Sequence, residues 1–305
     1  MEARVSESET ARGHEVLMPD WQRLPLVVAS PHSGCHYAPA FLEQSCLDPV
    51  TLRRSEDSFV DLLFESGPQL GAPLLRALFP RAYVDPNREP FELDPTMFED
   101  ELPSYANTRS ARVVAGLGTI ARVVATGAPI YANKLAFAEA LARLRRCYWP
   151  YHAALRALVE TTKSAFGFCI LLDCHSMPSS GLGAPSSGRA AGARGEGVAD
   201  IVLGDCFGTA CAPSVTATIE RLLTGRGYRV VLNSPYSGGF VTRHYGRPNH
   251  EVHAVQIEIN RALYMDETRI AQSPGFSTVR DDMAAVLAAL GSVDLYPQAR
   301  PAAAE

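Results

Sequence analysis

The sequence predicts an α/β protein in three layers, with a mixed, mainly parallel sheet and helices on both faces. Two observations predict this class. Short runs rich in Val, Ile and Leu alternate with longer segments of helical periodicity, which is typical of strands joined by helical crossovers. Some strand runs, such as residues 26–29, are also apolar at every position, as expected of strands buried on both faces. With 305 residues, 47% of them hydrophobic, the chain can bury one large core, so we expect a single domain.

Six short segments are predicted to be strands because β-branched and other apolar residues dominate them. They are residues 25–30, 80–85, 169–174, 200–204, 228–233 and 252–259. Four longer segments are predicted to be helices because their apolar residues recur at three- and four-residue steps. They are residues 50–66, 134–165, 213–225 and 278–290. Pro150 lies inside the second of these, where we expect a kink or a junction of two helices.

Three segments lack both kinds of periodicity. Residues 1–20 are polar and residues 293–305 are rich in Pro and Ala, so we expect both ends to be flexible. Residues 179–198 consist mostly of Ser, Gly, Ala and Arg, which predicts a flexible loop that could form a rim of the site or be a surface insertion. The α/β domain is therefore expected to span residues 21–292.

The charge and the cysteines restrict the function classes. The net charge of −5 comes with no basic block, which argues against nucleic acid or an anionic membrane as the main partner and favours a small molecule. No apolar run approaches the ~18 residues that a membrane helix needs, and the acidic, polar start does not resemble a secretory signal. The seven cysteines are an odd number and several lie in apolar segments, as reduced thiols do. We expect a cytoplasmic protein; its oligomeric state is not predicted.

Two histidines come directly after apolar strand runs. His32 follows residues 26–29, and His175 follows residues 171–174. A side chain just past a strand end faces the crevice in which open α/β sheets bind ligands, and imidazole is the commonest metal ligand in proteins. Metal-dependent hydrolysis needs about three protein ligands and an open position. We therefore expect both histidines to bind one metal ion.

Glu56 or Asp57 is expected to be the third ligand. Both follow Ser55, a good helix N-cap, so their carboxylates could instead complement the dipole of the following helix. The presence of two strand-end histidines in the same chain favours the ligand interpretation. The sequence pattern does not separate the two acids.

Asn87 and Arg88 lie in a polar turn that follows a predicted strand. A planar guanidinium beside an amide suits a bidentate grip on a carboxylate, so we expect this pair to bind an anionic substrate. The alternative is that Arg88 braces the loop by pairing with Asp85 or Glu89.

Glu258 alternates with apolar residues in the last predicted strand. On an exposed strand face such a residue would have no special role. Near a metal, its carboxylate could take a proton from the attacking water and pass it to the leaving amine, so we expect Glu258 to be the catalytic base.

The loop at residues 233–246 contains paired glycines, which permit close backbone approach or positive φ. We expect Gly239, Thr242 and Arg243 to contact the substrate if this loop closes over a small anion. The alternative is that the loop only turns a corner.

Eight short motifs, taken in order, resemble those of the N-formylglutamate amidohydrolase family. They lie at residues 30–34, 55–61, 84–88, 150–152, 173–178, 200–205, 235–240 and 256–265. The resemblance covers roughly residues 25–268, and the ordered set is specific although no single motif would be sufficient. The chain departs from carboxypeptidase-like relatives at position 35, a cysteine where those relatives place an acidic ligand.

This resemblance implies a phosphorylase/hydrolase-like fold related to zinc carboxypeptidases and aspartoacylases, with zinc or another divalent metal. It implies metal ligation by His32, His175 and an acid at 56 or 57, of which Asp57 is favoured. It further implies that Asn87 and Arg88 bind a substrate carboxylate and that Glu258 is the general base. The implied reaction is hydrolysis of N-formyl-L-glutamate, or of a close N-acyl amino acid, to formate and the amino acid.

Three other functions remain open from the sequence. An aspartoacylase-like or carboxypeptidase-like enzyme would use the same metal site on another amide. A metal-free hydrolase would use Cys174 or Ser33 as its nucleophile, since each adjoins a histidine in sequence. A binding protein of the same fold would have lost catalysis.

Overall fold

The computed structural model describes residues 13–179 and 199–292. Its centre is a mixed sheet whose strands are, in chain order, β1 (His14–Leu17), β2 (Leu26–Ser30), β3 (Leu74–Ala77), β4 (Cys169–Met177), β5 (Ile201–Gly204), β6 (Val230–Leu232) and β7 (Val252–Asn260). The spatial order is β1-β3-β2-β4-β7-β5-β6. Strands β3, β2, β4 and β7 run parallel, whereas β1 and β5 run antiparallel to β3 and β7. Two short strands, β8 (Met265–Asp266) and β9 (Ala271–Gln272), pair separately.

The helices are α1 (Pro39–Gln44), α2 (Pro49–Arg53), α3 (Val60–Leu63), α4 (Gly67–Leu70), α5 (Ala111–Val114), α6 (Phe137–Arg143), α7 (Trp149–Phe166), α8 (Pro213–Gly225), α9 (Phe240–Tyr245) and α10 (Phe276–Ser292). A π-helical stretch, Leu144–Tyr148, joins α6 to α7 just before Pro150. Proline cannot donate to the helix ladder and its ring clashes with the carbonyl four residues earlier, so a wider turn accommodates it. The interruption predicted near Pro150 is therefore this π-helical stretch.

Alternate residues of the central strands enter two separate apolar clusters. In β2, Leu26 and Val28 belong to the first cluster and Val27 and Ala29 to the second. The first cluster includes buried residues of α8 and α10, and the second includes buried residues of α7. Because side chains of a strand alternate between the two faces of a sheet, helical residues pack on both sides of β2. The predicted α/β class with a mixed sheet is confirmed.

Three predicted elements are wrong. Residues 80–85 form a turn in which the N–H groups of Tyr83 and Val84 bond to the carbonyl of Pro80, and the preceding strand is β3 instead. The segment 50–66 is not one helix, because α2 ends at Arg53 and Phe59 has a left-handed φ of 68°. Within the supposedly flexible residues 1–20, His14–Leu17 form β1 at the edge of the sheet.

The remaining predicted strands and helices agree with observed elements to within a few residues. The expected flexible loop lies outside the described residues apart from Ser179, as do residues 1–12 and the expected tail at 293–305. None of the helices in the described ranges is both long and apolar enough to cross a membrane.

Candidate active site

His32, Asp57 and His175 converge at the carboxyl ends of β2 and β4. Nδ1 of His175 lies 3.1 Å from Nδ1 of His32 and 3.0 Å from Oδ2 of Asp57, and Nδ1 of His32 lies 3.2 Å from the same oxygen. All three residues are buried. In the described part of the chain, no other group of three such side chains comes together as a possible metal site.

The strand topology explains why the histidines meet. Strands β2 and β4 are parallel neighbours, so their carboxyl ends lie at the same edge of the sheet. His32 lies two residues beyond β2, and His175 lies inside β4, which runs to Met177 rather than ending at residue 174 as predicted. The break between α2 and α3 brings Asp57 to them, because the N–H of Asp57 bonds to the carbonyl of His32 (3.0 Å).

Each histidine has a second carboxylate on its other ring nitrogen. Nε2 of His32 lies 2.7 Å from Oδ1 of Asp85, and Nε2 of His175 lies 3.0 Å from Oδ1 of Asp173. A carboxylate on Nε2 keeps the proton there and leaves the Nδ1 lone pair for a cation. The sequence predicts Asp85 only as an alternative partner of Arg88 and predicts no role for Asp173. Asp173 precedes His175 by two residues on one strand, so the two side chains lie on the same face of the sheet, and this spacing could have identified Asp173 as the partner of His175. No comparable local spacing links Asp85 to His32.

The electrostatics of the cluster keep Asp57 ionised. Burial alone would raise the pKa of Asp57, but hydrogen bonds from His175 and His32 outweigh it and hold that pKa well below its usual range. Burial alone would lower the pKa of His175, but the Asp173 carboxylate and Asp57 outweigh it and raise that pKa well above its usual value. The cluster therefore attracts positive charge, whether a proton or a metal cation.

Arg261 fixes the other oxygen of Asp57. Its Nη2 donates to Oδ1 of Asp57 (3.0 Å) and to the carbonyl of Glu56 (2.7 Å), while its Nε donates to Oγ of Ser176 (3.1 Å). These bonds leave Oδ2 of Asp57 directed at the two histidines.

Glu56 does not join the cluster. Its carboxylate accepts hydrogen bonds from the side chains of Arg53, Tyr37 and Ser58. Of the two acids that the sequence left open, only Asp57 lies with the histidines, because consecutive residues in the break before α3 point in different directions.

Glu258 lies beside His175 on the neighbouring strand. Strands β7 and β4 are parallel, and these two residues are register partners. The residue is 6% exposed, and burial raises the pKa of Glu258 to about 7, against the opposing effect of His175. A carboxyl group that titrates near neutrality can take up and return a proton under physiological conditions.

Asn87 and Arg88 lie close to the cluster, but their side chains are largely engaged. The Asn87 amide nitrogen lies 3.2 Å from Nε2 of His175, and its oxygen accepts the N–H of Val241 (2.8 Å). Arg88 donates from Nε to the carbonyl of Leu117 (2.9 Å) and from Nη1 to that of Asn87 (2.8 Å). Among the side-chain nitrogens of Arg88, only Nη2 forms no hydrogen bond with a described residue. It lies 3.7 Å from Oδ2 of Asp85.

Arg81 is a cation of the site that sequence reasoning missed. Its Nη2 donates to Oδ2 of Asp85 (2.8 Å), and its side chain remains 24% exposed. Burial would lower the pKa of Arg81, but Asp85, Asp57 and Glu258 outweigh it and raise that pKa. The guanidinium therefore interacts electrostatically with Asp57 of the cluster and with the candidate base. Its role was missed because residues 80–85 were predicted to be a strand, whereas they form a turn in which Arg81 reaches Asp85.

The three residues expected from the glycine loop are not equivalent. Gly239 is packed so tightly that a Cβ there would collide with the Asn87 amide. Thr242 is fully buried and its hydroxyl donates to Asp173 (3.2 Å), so it supports a carboxylate rather than facing a ligand. Arg243 is exposed and lines a separate surface pocket of about 460 Å³. The structure does not bring Thr242 or Arg243 to the open side of the cluster.

Neither nucleophile of the metal-free alternative is placed to react. Cys174 lies in an apolar cluster, and burial raises the pKa of its thiol well above the usual value. The hydroxyl of Ser33 donates to the carbonyl of Asp57 (3.1 Å) and accepts the N–H of Asp61 (3.1 Å). Both side chains have structural roles.

The donor set fits a divalent metal such as zinc. Ligand atoms about 2.0 Å from a tetrahedral zinc ion lie about 3.3 Å from one another, and the three atoms of the cluster are 3.0, 3.1 and 3.2 Å apart. Two imidazoles and one carboxylate leave a fourth position for water or substrate, as in hydrolytic sites.

Comparison with known proteins gives consistent matches. A model of the N-formylglutamate amidohydrolase family matches residues 24–265. The N-formylglutamate deformylases of Pseudomonas aeruginosa and Pseudomonas putida are 30% and 28% identical to the chain, covering 83% and 81% of it and 86% and 84% of their own lengths. The crystal structure of N-formylglutamate amidohydrolase from Ralstonia eutropha JMP134 has a TM-score of 0.83 and 37% identity, covering 92% of this chain and 97% of that one.

Proposed function

The chain belongs to the N-formylglutamate amidohydrolase family, and from that premise we propose that this amidohydrolase cleaves N-formyl-L-glutamate to formate and glutamate with the help of a divalent metal. The observation that carries the proposal is the buried triangle formed by Nδ1 of His32, Nδ1 of His175 and Oδ2 of Asp57. We assign metal binding to these three residues, with Zn²⁺ as the expected ion.

A divalent ion bound there supplies Lewis acidity, which makes water nucleophilic near neutral pH and polarises the amide carbonyl. Asp85 accepts a hydrogen bond from the outer ring nitrogen of His32, and the Asp173 carboxylate lies 3.0 Å from that of His175. Both negative charges favour a proton on the outer nitrogen and leave the inner nitrogen for the ion. Arg261 holds the remaining oxygen of Asp57.

Glu258 is the residue to which we assign proton transfer. Its ionised carboxylate accepts a proton from the attacking water, and the resulting carboxylic acid returns that proton to the nitrogen of the leaving amino acid. The pKa of about 7 suits both steps, because a group much more acidic would accept a proton poorly and a group much more basic would release it poorly.

Substrate anchoring requires cations, since N-formyl-L-glutamate carries two carboxylates. We assign this role to Arg81, whose side chain is 24% exposed, and to Nη2 of Arg88. The Nε and Nη1 atoms of Arg88 are bound to backbone carbonyls, which leaves Nη2 for the substrate. Asn87 is a further donor. The Asn87 oxygen accepts the N–H of Val241, so its NH₂ group is the part of the amide that faces the cluster beside His175.

We further propose a three-layer architecture and a cytoplasmic location for this protein. The separate apolar clusters on the two sides of β2 support the three-layer, phosphorylase/hydrolase-like architecture. All seven cysteines are free thiols, which supports a cytoplasmic location, since oxidising compartments favour disulfides.

The test combines elemental analysis of the purified protein with an assay of formate release from N-formyl-L-glutamate. We expect about one equivalent of a divalent metal, substantial formate release, and loss of activity on chelation. A panel of N-formimino, N-acetyl and dipeptide substrates then distinguishes deformylation from aspartoacylase-like or peptidase activity. Preferential hydrolysis of an N-acetyl or dipeptide substrate would contradict the assigned substrate, and full activity in metal-free protein would contradict the assigned metal.

A further inference from the structure

Gln256 connects the loop before α9 to Glu258 through two short hydrogen bonds. The N–H of Gly239 donates to Oε1 of Gln256 (2.6 Å), and Nε2 of Gln256 donates to Oε1 of Glu258 (2.6 Å). Since Gly239 occupies the amide oxygen, Gln256 can present only its NH₂ group to the carboxylate. Gln256 is 5% exposed, and shielding from water strengthens both bonds.

The loop that supplies the Gly239 N–H is held firmly against the end of the sheet. Gly204 on β5 is the register partner of Gln256, and a Cβ on Gly204 would lie only 2.6 Å from the nitrogen of Gly238 and 2.7 Å from the carbonyl carbon of Ser237. On its other side, Gly239 is in close contact with the Asn87 amide. The Gly239 N–H is therefore a fixed donor, and it fixes Gln256 in turn.

The two oxygens of Glu258 have different surroundings. Oε1 accepts the hydrogen bond from Gln256. No described residue donates a hydrogen bond to Oε2, and this oxygen keeps some exposure to solvent. The charged and titratable groups that act on Glu258 are His175, Asp57, Arg81, Arg261 and Tyr236. The oxygen left available for proton transfer is therefore Oε2.

We propose that Gln256 is a positioning residue that holds Oε1 of Glu258 so that Oε2 faces the reacting amide. This inference rests on the proposed role of Glu258 as the base. Without the Gln256 amide, the carboxylate can rotate about its side-chain torsions and loses its fixed orientation. Misplacement of a reacting group by about 1 Å can reduce a rate by about 100-fold. The loss should affect kcat, since Gln256 itself does not touch the substrate.

A double-mutant cycle tests the proposal, with formate release as the assay. Gln256→Met keeps the length of the side chain but removes both hydrogen bonds. We expect it to lower kcat by about 10- to 100-fold while KM changes by less than about twofold. On the Glu258→Ala background the same substitution should cause no further loss, because a residue that acts only through Glu258 has nothing left to position. Thr162→Val, a substitution on α7 that removes the partly buried hydrogen bond donated by the Gln22 amide, is the matched control and should leave kcat unchanged.

Gln256→Leu provides a second variant if Gln256→Met does not fold, as judged by circular dichroism. It fills a similar volume with a different apolar shape and also removes both hydrogen bonds, so we again expect a lower kcat. Unchanged kcat in the folded Gln256 variants, or an equal loss with and without Glu258, would overturn the proposal. A wild-type protein that releases no formate would instead overturn the proposed function, so the two failures are distinguishable.

Discussion

The Nδ1 atoms of His32 and His175 lie 3.1 Å apart although 143 positions separate the two residues in the chain. The rings meet at an angle of 62° with their centroids 4.7 Å apart. Two nitrogens that both carry lone pairs repel each other at this distance unless a proton or a metal cation lies between or beside them. Oδ2 of Asp57 completes the triangle and adds negative charge, which favours the cation.

Removal of His175 should remove the metal. His175→Ala leaves two of the three ligand atoms, so we expect loss of bound metal after dialysis and loss of formate release. Elemental analysis measures the first effect and the formate assay the second. Glu56→Gln is the control, because that carboxylate binds Arg53, Tyr37 and Ser58 instead of the cluster. Metal retained by His175→Ala but lost from Glu56→Gln would show that the ligand assignment is wrong.

Asp85 should tune metal affinity without being a ligand. Asp85→Asn removes the negative charge that holds the proton on Nε2 of His32, and such outer partners typically contribute about 10- to 100-fold in metal affinity. Titration with a competing chelator measures the change.

Asp94→Asn is the matched control for this substitution. Asp85 accepts the backbone N–H of Asn87 and a bond from Arg81. Asp94 likewise accepts the backbone N–H of Thr96 and a bond from Arg122, but it contacts no histidine among the described residues. Equal metal affinity in the Asp85 and Asp94 variants would contradict the assigned role of Asp85.

Glu258→Gln should lower kcat strongly and leave KM nearly unchanged. The amide keeps the shape of the side chain but cannot accept a proton, and loss of a general base costs about 10²- to 10⁴-fold in rate. Steady-state kinetics with N-formyl-L-glutamate measures both constants. A variant with near-normal kcat would show that another group transfers the proton.

The pH profile gives an independent measurement of Glu258. The base acts in its ionised form, and burial raises its pKa to about 7. Activity should therefore increase with pH through about pH 7 and become constant above it, while below it the rate falls about tenfold for each pH unit. The residual rate of Glu258→Gln should lack this acidic limb. An identical limb in that variant would assign the titration to a different group.

Arg81 should contribute to substrate binding or to stabilisation of the reacting amide. Arg81→Ala removes a charged donor, and a charged hydrogen bond contributes about 1.5–3 kcal/mol, so we expect kcat/KM to fall about 10- to 100-fold. Arg76→Ala is the control, since Arg76 is similarly exposed (27%) and also pairs with an aspartate, Asp61, on another part of the surface. An Arg81 variant as active as the Arg76 variant would exclude this role.

His152 should make the fold sensitive to acid. Its Nε2 donates to the carbonyl of Pro86 (2.9 Å), and burial lowers the pKa of His152 to about 4. In the unfolded chain this histidine takes up a proton near pH 6.5, whereas the folded protein does so only near pH 4. The free energy of unfolding should therefore decrease by about 3 kcal/mol as the pH falls across this window.

Urea unfolding at pH 7, 6, 5 and 4 measures this effect. His152→Gln should unfold with a weaker dependence on pH because it lacks the titrating ring. His250→Gln, which replaces an exposed histidine, should behave like the wild type. The same pH dependence in all three proteins would contradict the role of His152.

Much of the site could be predicted from local patterns. His32 and His175 follow apolar runs, and this pattern alone predicts that both lie near the carboxyl ends of strands. Glu258 is predicted to be the catalytic base because a carboxylate in an apolar strand near a metal can transfer a proton. These predictions depend on the two-residue period of a strand and on residue type, and both can be read directly from the sequence. The family resemblance came from the same short motifs.

Other contacts depend on register and on breaks in helices. The choice of Asp57 over Glu56 follows from the break between α2 and α3, and Arg81 reaches the site because residues 80–85 turn instead of forming a strand. Gln256 and Glu258 lie two residues apart on one face of β7, but Gln256 meets Gly239 only because a loop 17 residues earlier packs against that strand.

The sequence by itself determined the α/β class, the two histidines and the family to which the chain belongs. Only the tertiary structure decided which acid completes the cluster, which carboxylates hold the outer ring nitrogens and which arginines stay available. The physical reason is that hydrophobic periodicity is set by neighbours in the chain, whereas the direction of a polar side chain at a strand end is set by partners from distant segments that bury it and satisfy its hydrogen bonds.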